Sequence, residues 1–141
     1  VRAVWPVPVY MKHVEIHCDG SHLPWNGTAY GGYEARVDGQ ITRRWKGRVK
    51  AADSLEAEFQ AVIRALRWAV KKGYQHVVVF TDCMALVRMV RAGARPGGKY
   101  ARFIRRVAAL VKLIGSVWFQ WVPRERNRQA DMLCRAARKY A

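Results

Sequence analysis

Acidic side chains are scarce in this chain: ten stand against 26 lysines and arginines, for a formal net charge of +16. After Glu58 only Asp82, Glu125 and Asp131 remain. A domain this basic most often meets a polyanion, above all nucleic acid. Cysteine is sparse too. Cys18, Cys83 and Cys134 form no Cys-x-x-Cys pair, which argues against zinc and a disulfide framework and for a reducing, cytoplasmic setting. His13, His17, His22 and His76 show no metal-ligand spacing. No apolar run approaches the roughly 20 residues of a membrane span, so no membrane partner is expected. Residues 1–10 are apolar but short, and Pro6 and Pro8 interrupt them. They read as part of an N-terminal extension over residues 1–12, not as a signal peptide. Repeats, low-complexity stretches and interdomain linkers are lacking. Residues 13–141 therefore read as one domain with one core, expected to act as a monomer.

The patterns that are present spell an α/β order. Val14, Ile16 and Cys18 alternate with Glu15, His17 and Asp19, which predicts a first strand ending at Asp19. Residues 20–27 then read as a loop. Residues 29–37 and 41–49 predict two strands joined at Asp38-Gly39, a strong hairpin signal. Leu55, Phe59, Val62, Ile63, Leu66 and Val70 share one helical face, and Gly73 ends that helix. Residues 76–81 are a β-branched run suited to a buried parallel strand, with Asp82 at its end. A short helix over 84–91, a second amphipathic helix carrying Phe103, Ile104, Val107 and Val111, a strand over 117–122 and a closing helix from Asn127 follow. The order β-β-β-α-β-α-α-β-α implies a mixed five-stranded sheet with helices on both faces. Trp25, Trp45, Trp68, Trp118 and Trp121 read as core or edge packing.

Acids kept in so basic a chain need a reason. Asp19, Glu58, Asp82 and Asp131 lie at strand ends or early in helices. If the first and fourth strands are neighbours, their C-terminal ends meet where open α/β sheets bind ligands. Converging carboxylates repel unless cations sit among them, and hard oxygen ligands select Mg²⁺, with Mn²⁺ as a substitute. Two such ions about 4 Å apart suit in-line phosphoryl displacement. Helix periodicity separates Glu58 from Glu56. Glu56 falls beside Gln60 and Arg67 on the expected solvent side, and Asp53-Ser54-Leu55-Glu56 fits a capping box. Taken singly, each acid has a plainer reading: Asp19 as a turn residue, Asp82 as an N-cap, and Asp131 as a first-turn acid behind the N-cap Asn127. Only their joint pattern goes further.

The segments VEIHCDGS, SLEAEFQAVIRALRWA, VVVFTDC and WVPRERNRQADML are similar, in order, to the four blocks of the type 1 ribonuclease H family. The resemblance runs from about residue 14 to the C-terminus. It implies a ribonuclease H-like fold and an endonuclease that cuts the RNA strand of RNA/DNA hybrids, leaving 5′-phosphate and 3′-hydroxyl ends. It implies two metal ions on Asp19, Glu58, Asp82 and Asp131. Asp19 would bridge both, Glu58 and Asp82 would hold the leaving-group ion, and Asp131 the ion that activates water. Ser21, Ser54 and Asn127 fall in the matching blocks as candidate substrate contacts.

The chain also departs from that family. The basic, tryptophan-bearing segment many members insert before the second long helix is replaced by residues 93–98. Grip on the hybrid is then expected from Lys99, Arg102, Arg105 and Arg106, with Arg135, Arg138 and Lys139. The histidine many members carry after the fifth strand is absent, and Glu125 reads as a surface charge in that stretch. Asp53 stands where members often place a phosphate-binding threonine. Two rival readings remain: a non-catalytic nucleic-acid-binding module on the same scaffold, and another nuclease or strand transferase of the wider superfamily.

Overall fold

The computed structural model describes residues 8–139. Strand β1 (His13–Leu23) turns Val14, Ile16 and Cys18 inward to complete burial. Strands β2 (Thr28–Val37) and β3 (Gln40–Val49) follow as antiparallel partners. Their turn places Asp38 and Gly39 at φ 52° and 76°, the left-handed pair that a two-residue hairpin requires. Strands β4 (His76–Thr81) and β5 (Ser116–Trp121) run parallel to β1, and the sheet order is β3-β2-β1-β4-β5.

Helix α1 (Ser54–Lys72) starts where Asp53 Oδ1 accepts the Glu56 N–H at 2.8 Å. It stops at Gly73, whose φ of 84° suits glycine. Phe59, Val62, Ile63 and Leu66 bury its inner face against β1 and β2, each contributing roughly 1.5–3 kcal/mol on burial. Helices α2 (Met84–Ala92) and α3 (Ala101–Ile114) extend the same core through Leu86, Val87, Phe103 and Val107. Helix α4 (Arg128–Lys139) covers the opposite face of β1, β2 and β3. It lies so close that a side chain at Gly32 would press on Leu133 and the Cys134 backbone. The mixed sheet with helices on both faces is the expected architecture.

One boundary differs. Strand β1 does not stop at Asp19 but continues to Leu23, because β2 offers an unbroken antiparallel partner as far as Leu23↔Thr28. Only residues 24–27 form the turn. Pairing between β1 and β4 ends earlier, at His17↔Phe80. Asp19 thus lies two residues beyond the last β1–β4 pair, at the mouth of a split in the sheet.

Of the expected N-terminal extension, residues 1–7 fall outside the described residues, and Val9–Met11 form a 3-10 turn. No described helix is long and apolar enough to cross a membrane.

Candidate active site

The split between β1 and β4 gathers acids from four elements. Asp19 projects from β1 on the face that α4 covers, opposite Gly32. Its neighbour Gly20 faces α1, where a Cβ would collide with the Ala57 carbonyl. Glycine at position 20 therefore lets the first turns of α1 touch β1, and that approach brings Glu58 to Asp19. Asp82 follows β4 directly. Its peptide is braced from two sides: the Trp121 indole N–H donates to the Asp82 carbonyl at 3.2 Å, and Thr81 Oγ1 accepts the Cys83 N–H at 3.1 Å. Asp131 enters from the first turn of α4.

Carboxylate oxygens of Asp19, Glu58 and Asp82 all lie within 4.8 Å of one another. At that separation like charges in a half-buried cleft are costly. Burial pushes the Asp19 carboxyl up to about 7, with the Asp82 and Asp131 charges adding to it and a hydrogen bond with Glu58 offsetting part. Glu58 is driven well above the ordinary glutamate range, by burial first and by Asp19 next. Its Oε2 is buried without a hydrogen-bond partner. Crowded carboxylate oxygens and an orphaned acceptor are what a hard divalent cation satisfies, so this donor set fits Mg²⁺ or Mn²⁺. The thiols nearby do not: burial pushes Cys83 up to about 11 and Cys134 up to about 12.

Asp131 lines the same cleft of about 410 Å³ but stands apart from the tight trio. Its Oδ2 lies 3.1 Å from Arg135 Nε, one helical turn on. Arg124, Arg135 and Arg138 complete the rim, placing guanidinium groups around an acidic floor. Arg124 had no distinguishing signal in the sequence. The Asp131–Arg135 pair did, in its four-residue spacing.

Ser21 and Ser54 line the cleft, and Ser21 Oγ also contacts Cys134 Sγ at 3.4 Å. Asn127 does not reach it. The residue is fully buried, and its Nδ2 donates to the Cys18 carbonyl at 2.8 Å. Its Oδ1 has no partner, so the expected N-cap is not made either. Asn127 instead ties the start of α4 to β1 beside Asp19. The three expected arginines part company. Arg102 and Arg106 flank a groove with Lys50 and Gln60, whereas Arg105 lies with Val90 and Trp118 against β5.

Four further expectations are corrected, explained or met. Glu56 is buried, not solvent-facing, because α3 packs across the start of α1 and sets Arg102 at 3.8 Å. Its capping role holds in altered form, with Glu56 Oε1 accepting from the Ala52 N–H at 3.0 Å. Asp53 is paired with Lys99 at 3.1 Å and accepts a hydrogen bond from the Tyr100 hydroxyl at 2.7 Å, which accounts for an acid at that place. Trp25 is 77% exposed and outside the core, whereas Trp118, 57% exposed, lies on the edge strand β5 with Arg91 4.8 Å over its ring, the expected edge packing. Glu125 is exposed on the turn Arg124–Arg126.

Residues 34–137 match the model of the reverse transcriptase-like family. The fold superimposes on RNase H1 from the halophilic archaeon Halobacterium salinarum with a TM-score of 0.84, at 24% identity, covering 92% of this chain and 99% of that one. The N-terminal RNase H domain of rv2228c from Mycobacterium tuberculosis gives 0.81 at 25% identity, covering 92% and 95%. LC11-RNase H1, isolated from compost and solved with an RNA/DNA hybrid, gives 0.78 at 22%, covering 88% and 95%. EbsB of Enterococcus faecalis is 30% identical over 84 residues, which is 58% of this chain and 62% of that relative's length.

Proposed function

The chain belongs to the reverse transcriptase-like family, and from that premise we propose that it is a ribonuclease H, an endonuclease hydrolysing the RNA strand of RNA/DNA hybrids. One observation carries the reading: Asp19, Glu58 and Asp82 converge within 4.8 Å at the open end of the β1–β4 split. Asp131 lines the same cleft. Similarity to RNase H1 structures, one of them holding a hybrid, supports the substrate class.

Asp19, Glu58 and Asp82 would hold one divalent ion, and Asp19 with Asp131 would hold a second. When bound, such ions supply an activated water and stabilise the leaving oxygen, giving 5′-phosphate and 3′-hydroxyl ends. The chain's own groups do the rest. Arg124 and Arg138 on the rim attract the scissile phosphate into a cleft whose floor alone would repel it. Ser21 and Ser54 stand where the 2′-hydroxyl, the mark of RNA, can be met. Arg102 and Arg106 hold the partner strand beside the start of α1. Every site residue comes from one chain, so a monomer suffices. Residues 13–141 form the catalytic domain, behind an extension over residues 1–12. The free thiols Cys18, Cys83 and Cys134 suit a reducing compartment such as the cytoplasm.

A panel of hybrid, duplex DNA, duplex RNA and single strands tests the reading with Mg²⁺ and with Mn²⁺. We expect a product ladder from the RNA of the hybrid alone, abolished by Asp82→Asn with hybrid binding retained. Binding without cleavage under either metal would leave a non-catalytic module on this scaffold. Cleavage centred on duplex DNA would move the chain to another branch of the superfamily.

A further inference from the structure

On the α1 side of the sheet, away from the cleft, a groove of about 720 Å³ runs between β3 and the second half of α1. Its floor is Trp45. That ring lies over two glycines: a Cβ on Gly47 would sit 3.0 Å from it and one on Gly31 3.5 Å. A side chain at Gly47 would crowd the tryptophan, and one at Gly31 would fill the space between it and Ala61. Five cations line the groove: Arg43 from β3, and Arg64, Arg67, Lys71 and Lys72 from α1. No acid lines it, and none of the five takes part in an ion pair among the described residues.

Local structure explains part of this. Lys71 and Lys72 sit in the last turn of α1, where the helix dipole favours cations. Arg64 lies over Trp45, 4.6 Å from the ring centroid. Arg43 comes from a different element and is placed by a hydrogen bond with the Tyr33 hydroxyl, but a neutral hydroxyl does not balance its charge, and neither effect accounts for Arg67. Like charges brought together from two elements lose free energy unless an anion joins them.

We propose that this groove is a second nucleic-acid site, one that binds backbone phosphates and reads no bases. The aromatic rings decide against base stacking. Trp45 carries Arg64 on its ring and stacks on Tyr33 at 5.8 Å, and Trp68 lies against Tyr33 and Tyr74. Their faces are occupied by the protein, so they fix the guanidinium groups in place. The site is separate from the cleft. From Glu58 to Lys71 along α1 is roughly 20 Å at 1.5 Å per residue. The proposal rests on the hybrid nuclease reading only for the identity of the polyanion. The phosphates come either from the flank of a long hybrid held in the cleft or from a second strand.

The test is the salt dependence of binding by the full chain and by the variant Arg43→Gln/Arg67→Gln/Lys71→Gln, in EDTA. Probes are a labelled hybrid of about 40 base pairs and, separately, a labelled single strand added after the cleft is filled with unlabelled hybrid of about 10 base pairs. Each phosphate contact contributes about −0.9 to the slope of log K against log salt on a duplex. The variant's slope on the long hybrid should be shallower by about 2 to 3 if the flank is the ligand. If a second strand is the ligand, the loss appears on the single strand instead. Cleavage of the short hybrid with Mg²⁺ should stay at the parent's rate, which shows that the variant is folded. Equal slopes for parent and variant on both probes overturn the proposal and leave the groove to an acidic protein partner. Failure of the nuclease reading looks different: the parent cleaves no hybrid, whatever the slopes. A charge-reversing Arg43→Glu gives a second reading of the same slopes.

Discussion

Glu58→Gln, studied first without metal, isolates the electrostatics of the cleft. In the parent, Asp19 is pushed up to about 7 and Glu58 well above its ordinary range, both chiefly by burial. A carboxyl raised in the folded state holds a proton that the unfolded chain has already released. The contribution of Asp19 to stability is therefore greatest at low pH and falls as pH climbs from the unfolded value of 3.8 towards 7. One excess proton corresponds to about 1.4 kcal/mol per pH unit, and Asp19 alone sums to about 4 kcal/mol across that window. At about 3 °C per kcal/mol for a domain of this size, the metal-free parent should lose about 4 °C in melting temperature per pH unit between pH 5 and 7. Glutamine keeps an amide that can donate to Asp19, as protonated Glu58 does, but it cannot ionise. The variant should match the parent near pH 5 and melt several degrees higher at pH 8. Acids elsewhere drop out of the difference. Glu34, for example, is pushed up by its burial but held low overall by Arg36 and Arg44, and it titrates alike in both proteins. Saturating Mg²⁺ should reverse the order, since about 100-fold excess over Kd stabilises the parent by about 2.7 kcal/mol and the variant far less. Calorimetry in EDTA and in Mg²⁺, paired with hybrid cleavage, reads every arm. A gap between parent and variant that does not widen with pH would refute the crowding on which the site rests.

Gly20→Ala should lower unfolding free energy by about 3 kcal/mol in a denaturant titration, because the new methyl meets the Ala57 backbone and α1 must shift. Asn127→Ala removes the bond to the Cys18 carbonyl; about 1–3 kcal/mol of stability should go, together with cleavage rate, as α4 loses its tie to β1. Arg135→Ala should release Asp131 from its 3.1 Å ion pair and lower, severalfold, the Mg²⁺ concentration that gives half-maximal cleavage.

Much of the architecture was legible because it rests on local signals. The apolar face from Leu55 to Val70, the Asp38-Gly39 turn and the run of residues 76–81 each specify one element without help from elsewhere. Asp19, Glu58 and Asp82 were legible as a set because few other acids compete with them. The errors arose where a distant element decides. Strand β1 runs on to Leu23 because β2 pairs with it, which no feature of residues 20–23 announces. Glu56 is buried because α3 crosses α1, and helical periodicity sees one helix at a time. Arg102, Arg105 and Arg106 stand at i, i+3 and i+4, the spacing of a single helical face, yet Arg102 and Arg106 flank one groove and Arg105 another, because α1 and β5 crowd opposite sides of α3. Asn127 turned inward because the Cys18 carbonyl lay within reach across the fold.

The distribution of ion pairs makes the argument for the cleft that composition could only suggest. With 26 basic residues in 141, an acid at random has bases on every side. Glu34 is held by Arg36 and Arg44, Asp53 by Lys99, Glu56 by Arg102 and Asp131 by Arg135. Glu15, Asp38 and Glu125 are exposed to water. Asp19, Glu58 and Asp82 are neither exposed nor engaged in any ion pair among the described residues, and they face one another. A fold indifferent to this arrangement would turn one of its many arginines onto the trio, as it does for Glu34 and Asp131. Leaving three carboxylates together without a base raises the Asp19 and Glu58 pKa values and costs stability. That cost is recovered by a charge the chain does not itself supply, and a small divalent cation is the kind of species that such oxygen donors favour.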